Sequence, residues 1–306
     1  MLLAGMVLTS LLMYGQAAPQ PADDLGTVFN NLKAAEQAKD YAQILKLATD
    51  SSRMARETIA QKAPTDSVDA DAHRYRVEFA KQVETYADYA LFAAGLRAPD
   101  NARRMEFFET LEKQSPNSQY VPQLYSVYLN ALAQSSKKAQ VYPFAEKAIA
   151  KDPANEDLLL VLADGAMTRK QWDRAATYGA KLASVMSGHA KPDGMPAGDW
   201  EKRRAMLEGR GYWIAGMSYA TVNKYPQADK NLRAALPFIK EDMTMYTGAL
   251  FQLGVSNYNL ARATQNKTLM NDAIEFSRQC ATFQSGYQDQ ASKNVWAMKQ
   301  ELRNWR

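Results

Sequence analysis

Apolar residues recur at spacings of three and four along nearly the whole chain, and the polar breaks between these runs are short. That period puts the apolar residues on one face of a helix, whereas strict alternation would indicate strands. Leu25, Val28, Phe29, Leu32 and Ala35 form the first stripe, behind Asp23 and Asp24, either of which can cap a helix. Lys39-Asp40 breaks it, and a second helix runs from Tyr41 toward Lys62. Pro64-Thr65-Asp66 ends that helix and caps the next. Residues 67–97 hold no Pro and no Gly before Gly95, and Tyr75, Phe79, Val83, Tyr86, Ala90 and Ala94 stay in phase. A helix of about 30 residues is about 45 Å long. Further runs follow at Met105, Phe107, Phe108 and Leu111, at residues 122–133 and at residues 141–150. The end segment, residues 288–305, carries Ala291, Val295, Met298, Leu302 and Trp305 on one face. Gln290, Lys293, Asn294, Gln300 and Glu301 stand on the other, as expected of a solubilising terminal cap. The pattern predicts an all-α chain.

Within it a longer period is legible. Residues 211–236 contain Tyr212, Ala215, Gly216 and Tyr219 on one helical face, a polar break at Asn223-Lys224, then Tyr225, Ala228, Leu232 and Ala235 on another. Large and small residues alternate there so that two backbones can approach closely. An aromatic–x–x–small element recurs as Trp172…Ala175 and Tyr225…Ala228, with an echo at Tyr41…Ile44, each preceded by a polar pair. Leu159, Leu162, Ala163 and Ala166 precede Trp172, and Ala148 to Leu182 spans 34 residues. Leu253-Gly254 recreates the pair at Ala215-Gly216, and Ala273, Ile274, Phe276, Cys280 and Ala281 supply its partner helix. The stretch 211–236 resembles the tetratricopeptide repeat, whose pattern is W-x₂-L-G-x₂-Y…A-x₃-F…P. Tyr212 stands in the Trp place and Ala215 in the Leu place. Gly216, Tyr219 and Ala228 match, Leu232 takes the Phe place, and Lys240 departs from the final Pro. The resemblance extends over residues 118–285 and more faintly over 24–116. It implies a right-handed α-solenoid of antiparallel helix pairs, with long atypical N-terminal helices and a C-terminal capping helix.

The expected organisation is a signal peptide at residues 1–18, a linker at 19–23, N-terminal helical pairs at 24–116 and a repeat array at 117–306. The array carries a loop insertion at residues 187–199, after which Asp199 is positioned to cap an extended helix. Residues 1–18 are uncharged and apolar and end in small residues, as signal peptides do, although the basic n-region is missing. An uncleaved anchor is the alternative, over a run short for a full span. Only in that form is membrane association expected. The implied location is exported, periplasmic or secreted.

Composition narrows the chemistry. Hydrophobic residues are 46% and charged residues 23%, the balance of a folded chain. The net charge of +4 is spread out, with no basic run denser than Lys202–Arg204, so a nucleic-acid partner is not expected. One cysteine, Cys280, and two histidines, His73 and His189, leave no metal-ligand set, and neither a metal nor another cofactor is expected. Cys280 falls where a small core residue belongs. In the tetratricopeptide family the partner lies in a concave groove lined by the first helix of each pair. The resemblance maps that groove onto Ser126 and Asn130, then Asp157, Leu160, Asp164 and Met167. It continues through Trp213, Met217 and Ala220 to Phe251, Val255 and Tyr258; packing of these residues against the insertions or the end helix is the alternative. The family's carboxylate clamp is absent, since no lysine stands at these groove places and Arg210 is the sole arginine at them. Trp213 follows the packing residue Tyr212 and is expected to point its ring away from the helix seam. Asp157 and Asp164 lie seven residues apart on one helix face, about 10.5 Å along its axis, and are expected as solvated groove charges, with a general acid–base pair as the alternative. The leading expectation is therefore a non-catalytic adaptor for a protein or peptide segment. A helical cell-wall glycosidase and a structural subunit that forms homo-oligomers through residues 66–96 are the alternatives.

Overall fold

The structure, a computed structural model, describes residues 24–305; the expected signal peptide and linker lie outside them. All regular structure among the described residues is helical. The helices divide into two units, one ending at Tyr128 and the other starting at Leu129.

The first unit contains α1 (Leu25–Ala38), α2 (Tyr41–Ile59), α3 (Ser67–Arg97) and α4 (Asn101–Gln114), followed by a 3₁₀ turn at Pro122–Leu124 and the start of α5 (Tyr125–Ala133). Aspartates open each of the first four helices. Asp24, Asp40, Asp66 and Asp100 accept from backbone N–H groups of the first turn, satisfying donors that have no partner inside the helix. Helix direction can be read from cross-helix partners. Arg56 meets Glu84 and Tyr41 meets Arg97, pairs whose residue numbers have a nearly constant sum, so α2 and α3 are antiparallel. Phe29 meets Phe79 and Glu36 meets Tyr86, both 50 residues apart, so α1 and α3 run parallel. Ala55, Ala80 and Val83 are buried under Leu25, Phe29 and Ile59.

The second unit continues with α6 (Val141–Ala148), α7 (Glu156–Thr168), α8 (Trp172–Gly188), α9 (Ala197–Thr221), α10 (Tyr225–Ile239), α11 (Met243–Thr264), α12 (Lys267–Ala281) and α13 (Gln288–Arg303). Neighbouring helices from α6 to α13 pack successively, and α7, α9 and α11 also touch in turn. Glycines set the closest approaches. A Cβ on Gly211 of α9 would stand 2.7 Å from both Ala183 N and Gly179 O of α8, so this seam is backbone against backbone. A Cβ on Gly216 would lie 2.5 Å from Leu232 Cγ, across the α9–α10 seam.

One turn is repeated. Lys39, Lys170, Asn223 and Gln265 are the non-glycine residues with positive φ among the described residues, at 50–60°. Each joins the two helices of a pair, at α1–α2, α7–α8, α9–α10 and α11–α12. The next N–H reaches back five residues every time, from Asp40 to Ala35 O, Gln171 to Ala166 O, Lys224 to Tyr219 O and Asn266 to Ala261 O. This is the Schellman closure, which satisfies carbonyls left over at a helix end. At the turns of Lys39, Lys170 and Asn223 the aromatic–x–x–small element begins directly after the closure, and its small members Ile44, Ala175 and Ala228 are buried.

Three local expectations are corrected. The insertion is helical at both ends: α8 extends through Gly188 and α9 starts at Ala197, leaving only residues 189–196 outside helices. Buried Trp200, packed with Leu182, Met186 and Leu207, draws that first turn into the fold. Asp199 lies within the turn, and the cap position is Pro196, whose carbonyl accepts from Trp200 N. On α13 the outer face is not uniformly polar. Trp296 is 68% exposed, while Glu301 is turned inward, accepting from Tyr258 and pairing with Arg262.

Candidate binding face of the first helices

In the second unit α7, α9 and α11 are the first helices of their pairs, and charged residues tie the first two together. Arg203 donates to Asp157 at 2.7 Å, and Arg210 donates to Asp164 at 2.7 Å. Both partners are 46 residues apart. A constant difference, rather than a constant sum, means that α7 and α9 are parallel and side by side. Arg203 also reaches Glu156, and His189 approaches the same carboxylate. Burial opposes the charge of Arg203, yet Asp157 and Glu156 outweigh it and hold the guanidinium above its ordinary pKa. These pairs remain partly solvated, so each contributes about 0.2–1 kcal/mol. Asp157 and Asp164 are thus cross-helix struts.

Trp213 sits one turn beyond Arg210. Its Nε1 donates to Met245 O at 3.0 Å, and Arg210 lies over its ring at 5.3 Å. The ring packs against the Ala163–Ala166–Ile214 cluster on one side and the Met245–Ala249–Leu253 cluster on the other. The expectation of a ring freed by Tyr212 is therefore corrected: both side chains are half-buried against the same cluster, because the next first helix, α11, occupies the direction in which Trp213 points. Met217 is half-buried beside it, near Gly248.

On α11, Phe251 stacks on Tyr287 with centroids 4.8 Å apart. Val255 is half-buried on the same helix. Tyr258 packs against Ala261, Met270, Ala273 and Met298, and its hydroxyl donates to Glu301 at 2.7 Å. Burial first, and then that carboxylate, raises the Tyr258 pKa. Asn130 is exposed on α5 and joins none of these contacts.

The structure therefore brings together Asp157, Asp164 and Trp213 through α9, and Met217 with Phe251 near Tyr287, but not Asn130. It adds Met206, 55% exposed and in helical phase with Arg210, Trp213 and Met217. It also adds Arg203 and Tyr287, and gives Arg210 its partner Asp164. The seven-residue spacing shared by Asp157/Asp164 and Arg203/Arg210 was a usable sequence signal for the struts. Tyr287 had none, since its position depends on the turn before α13.

Among the described residues no group of three or more His, Cys, Asp or Glu side chains is arranged to hold a metal ion. No helix among them is long and apolar enough to cross a membrane. The chain matches no protein-family model, and no curated protein matches it.

Proposed function

We propose that this chain is a non-catalytic adaptor, a tetratricopeptide-like right-handed α-solenoid that takes a protein or peptide segment along the first helices of its second unit. The carrying observation is the parallel seating of α7 and α9 through the two Arg–Asp struts of equal register. It lines first helices up so that Leu160, Met167, Met206, Met217, Phe251 and Val255 remain partly or largely accessible. Methionine and aromatic side chains of this kind adapt to varied partner surfaces. Both aspartates are used in struts, which favours an adaptor over a glycosidase needing two carboxylates aimed at one bond. The apolar start of the sequence supports export to the cell envelope; N-terminal sequencing of protein recovered from cells should read from Ala18 or Pro19, and an intact Met1 on cytoplasmic protein would refute export.

Photocrosslinking tests the binding face. A benzoylphenylalanine at Met206 or Val255 should capture one common partner in cells, and the same probe at exposed Lys181 on α8 should not. Equal capture from all three positions, or none from the first two, removes this face as the binding site.

A second reading, self-association, rests on α3. Val68, Tyr75, Tyr89 and Leu96 are exposed and separated by seven or fourteen residues, with Phe79 beside them. A seven-residue apolar spacing suits a helix-on-helix seam with a second copy.

A further inference from the structure

The exposed stripe of α3 has a symmetry that a seven-residue spacing alone does not require. Val68, Tyr75, Gln82, Tyr89 and Leu96 follow one another at that spacing, and all five are exposed. Counted outward from Gln82, the order is the same in both directions: a tyrosine, then a branched aliphatic residue. Turned end over end about Gln82, the helix presents the same surface again.

A partner of unrelated sequence gains nothing from that symmetry, whereas a second copy does. Docked antiparallel, it sets Tyr75 against Tyr89, Val68 against Leu96 and Gln82 against Gln82, so each residue meets its own kind. This is the isologous contact of a two-fold dimer. A carboxamide suits the axis, because it carries donors and an acceptor, and two of them exchange N–H···O bonds. A polar residue inside an apolar seam also fixes the register, since any slip sets it against an apolar neighbour.

Charge selects the direction. α3 opens on Asp66 and Asp69 and ends on Arg97. Parallel copies would stand acidic end beside acidic end. Antiparallel copies bring each Arg97 level with the acidic end of the other chain, and their helix dipoles oppose. Along the flank, Asp71 is paired with Arg74 and Glu78 with Lys81, so those charges are balanced within each copy. The seam from Val68 to Leu96 is about 42 Å long and one helix, about 10–12 Å, wide, roughly 900 Å² of contact in total, which is the size of a weak, reversible interface. We propose that α3 forms an antiparallel two-fold dimer with a second copy of this chain, with Gln82 on the axis and Tyr75 of each copy against Tyr89 of the other. The proposal rests on the self-association reading of α3 and adds direction and register to it.

Disulfide trapping on the full chain tests it, beside sedimentation equilibrium of the parent. Single cysteines enter at exposed positions as Gln82→Cys, Tyr75→Cys and Tyr89→Cys, and circular dichroism confirms that each variant is folded. Cys280 is buried, so the parent chain is the blank. Under mild oxidation Gln82→Cys should form a disulfide dimer. A mixture of Tyr75→Cys with a size-tagged Tyr89→Cys should give the mixed pair, whose second Tyr75–Tyr89 contact is intact. Like pairs of either variant should not form, because in this register they lie about 21 Å apart, beyond the reach of a disulfide. Like pairs forming as readily as the mixed pair would overturn the antiparallel register and leave self-association standing. A parent that associates while none of the three positions is trapped removes α3 as the seam. A parent that stays monomeric, with no trapping, overturns the dimer and the self-association reading together.

Discussion

Trp213 shows how much a single side chain can be asked to hold. Its ring spans two apolar clusters and its Nε1 bonds to the backbone of the next first helix. Trp213→Ala removes both, and the expected cost is about 3 kcal/mol, at the low end for truncating a large aromatic because the ring is only half-buried. Denaturant melts measure this directly; an unchanged midpoint would mean that the ring is free after all. Lys170 makes the opposite case. Its φ of 57° places a Cβ where the left-handed region disfavours one. Glycine has no such penalty, so Lys170→Gly should raise stability by about 0.5–1 kcal/mol. Cys280 is fully buried with its thiol directed at Thr247 O. Burial pushes that thiol up to about 11 from an ordinary value of 9.0. The folded-state value is the higher one, so the stability linked to this thiol is full below about pH 9 and declines as the pH rises toward about 11. Ellman's reagent at about pH 8, below the ordinary thiol value, should label Cys280 only after unfolding, and rapid labelling of native protein would refute this burial.

At the scale of the helices, close approach is governed by glycine, and the kind of atom facing each glycine decides the outcome of substitution. Gly211 faces backbone of α8, which cannot rotate aside, whereas Gly216 faces the side chain of Leu232. Gly211→Ala should therefore cost about 1–3 kcal/mol, through separation of α8 and α9. At Gly198, in the first turn of α9, an added Cβ would meet no atom within 4 Å. There the same change should be neutral or stabilise by up to about 1 kcal/mol, from helix propensity alone. Thermal melts should show a lowered midpoint for Gly211→Ala and no lowering for Gly198→Ala; an unchanged or raised midpoint for Gly211→Ala would show that propensity, not the seam, dominates there.

For the molecule as a whole, the open question is whether the exposed face of α3 is used between copies. The stripe of Val68, Tyr75, Tyr89 and Leu96 predicts concentration-dependent association in sedimentation equilibrium. Tyr75→Glu, at a side chain 72% exposed, should abolish it while leaving the melting curve within about 0.5 kcal/mol of the parent. A monomer at all concentrations would leave the α3 face without this role.

Helical class, the succession of pairs and much of the core were determined by sequence alone, because a burial period of three and four is a local property of the chain. Leu159, Leu162, Ala163 and Ala166 are buried as their spacing requires, and so are Ala228, Leu232 and Ala235. The Asp24, Asp40, Asp66 and Asp100 caps were equally local. What tertiary structure alone decided concerns places where two helices compete for one direction. Tyr212 and Trp213 differ by about 100° around a single helix, which distinguishes their faces but says nothing of what covers each. Only the seating of α11 shows that the second face is occupied too. The pairing of Asp157 with Arg203 and of Asp164 with Arg210 depended on the parallel register of α7 and α9 across 46 residues of chain. The repeated left-handed turn escaped the pattern because Lys, Asn and Gln occupy it in place of glycine, held there by the five-residue hydrogen bond that closes each pair. Periodicity records which residues leave water; which neighbour they meet is settled by packing between segments distant in sequence.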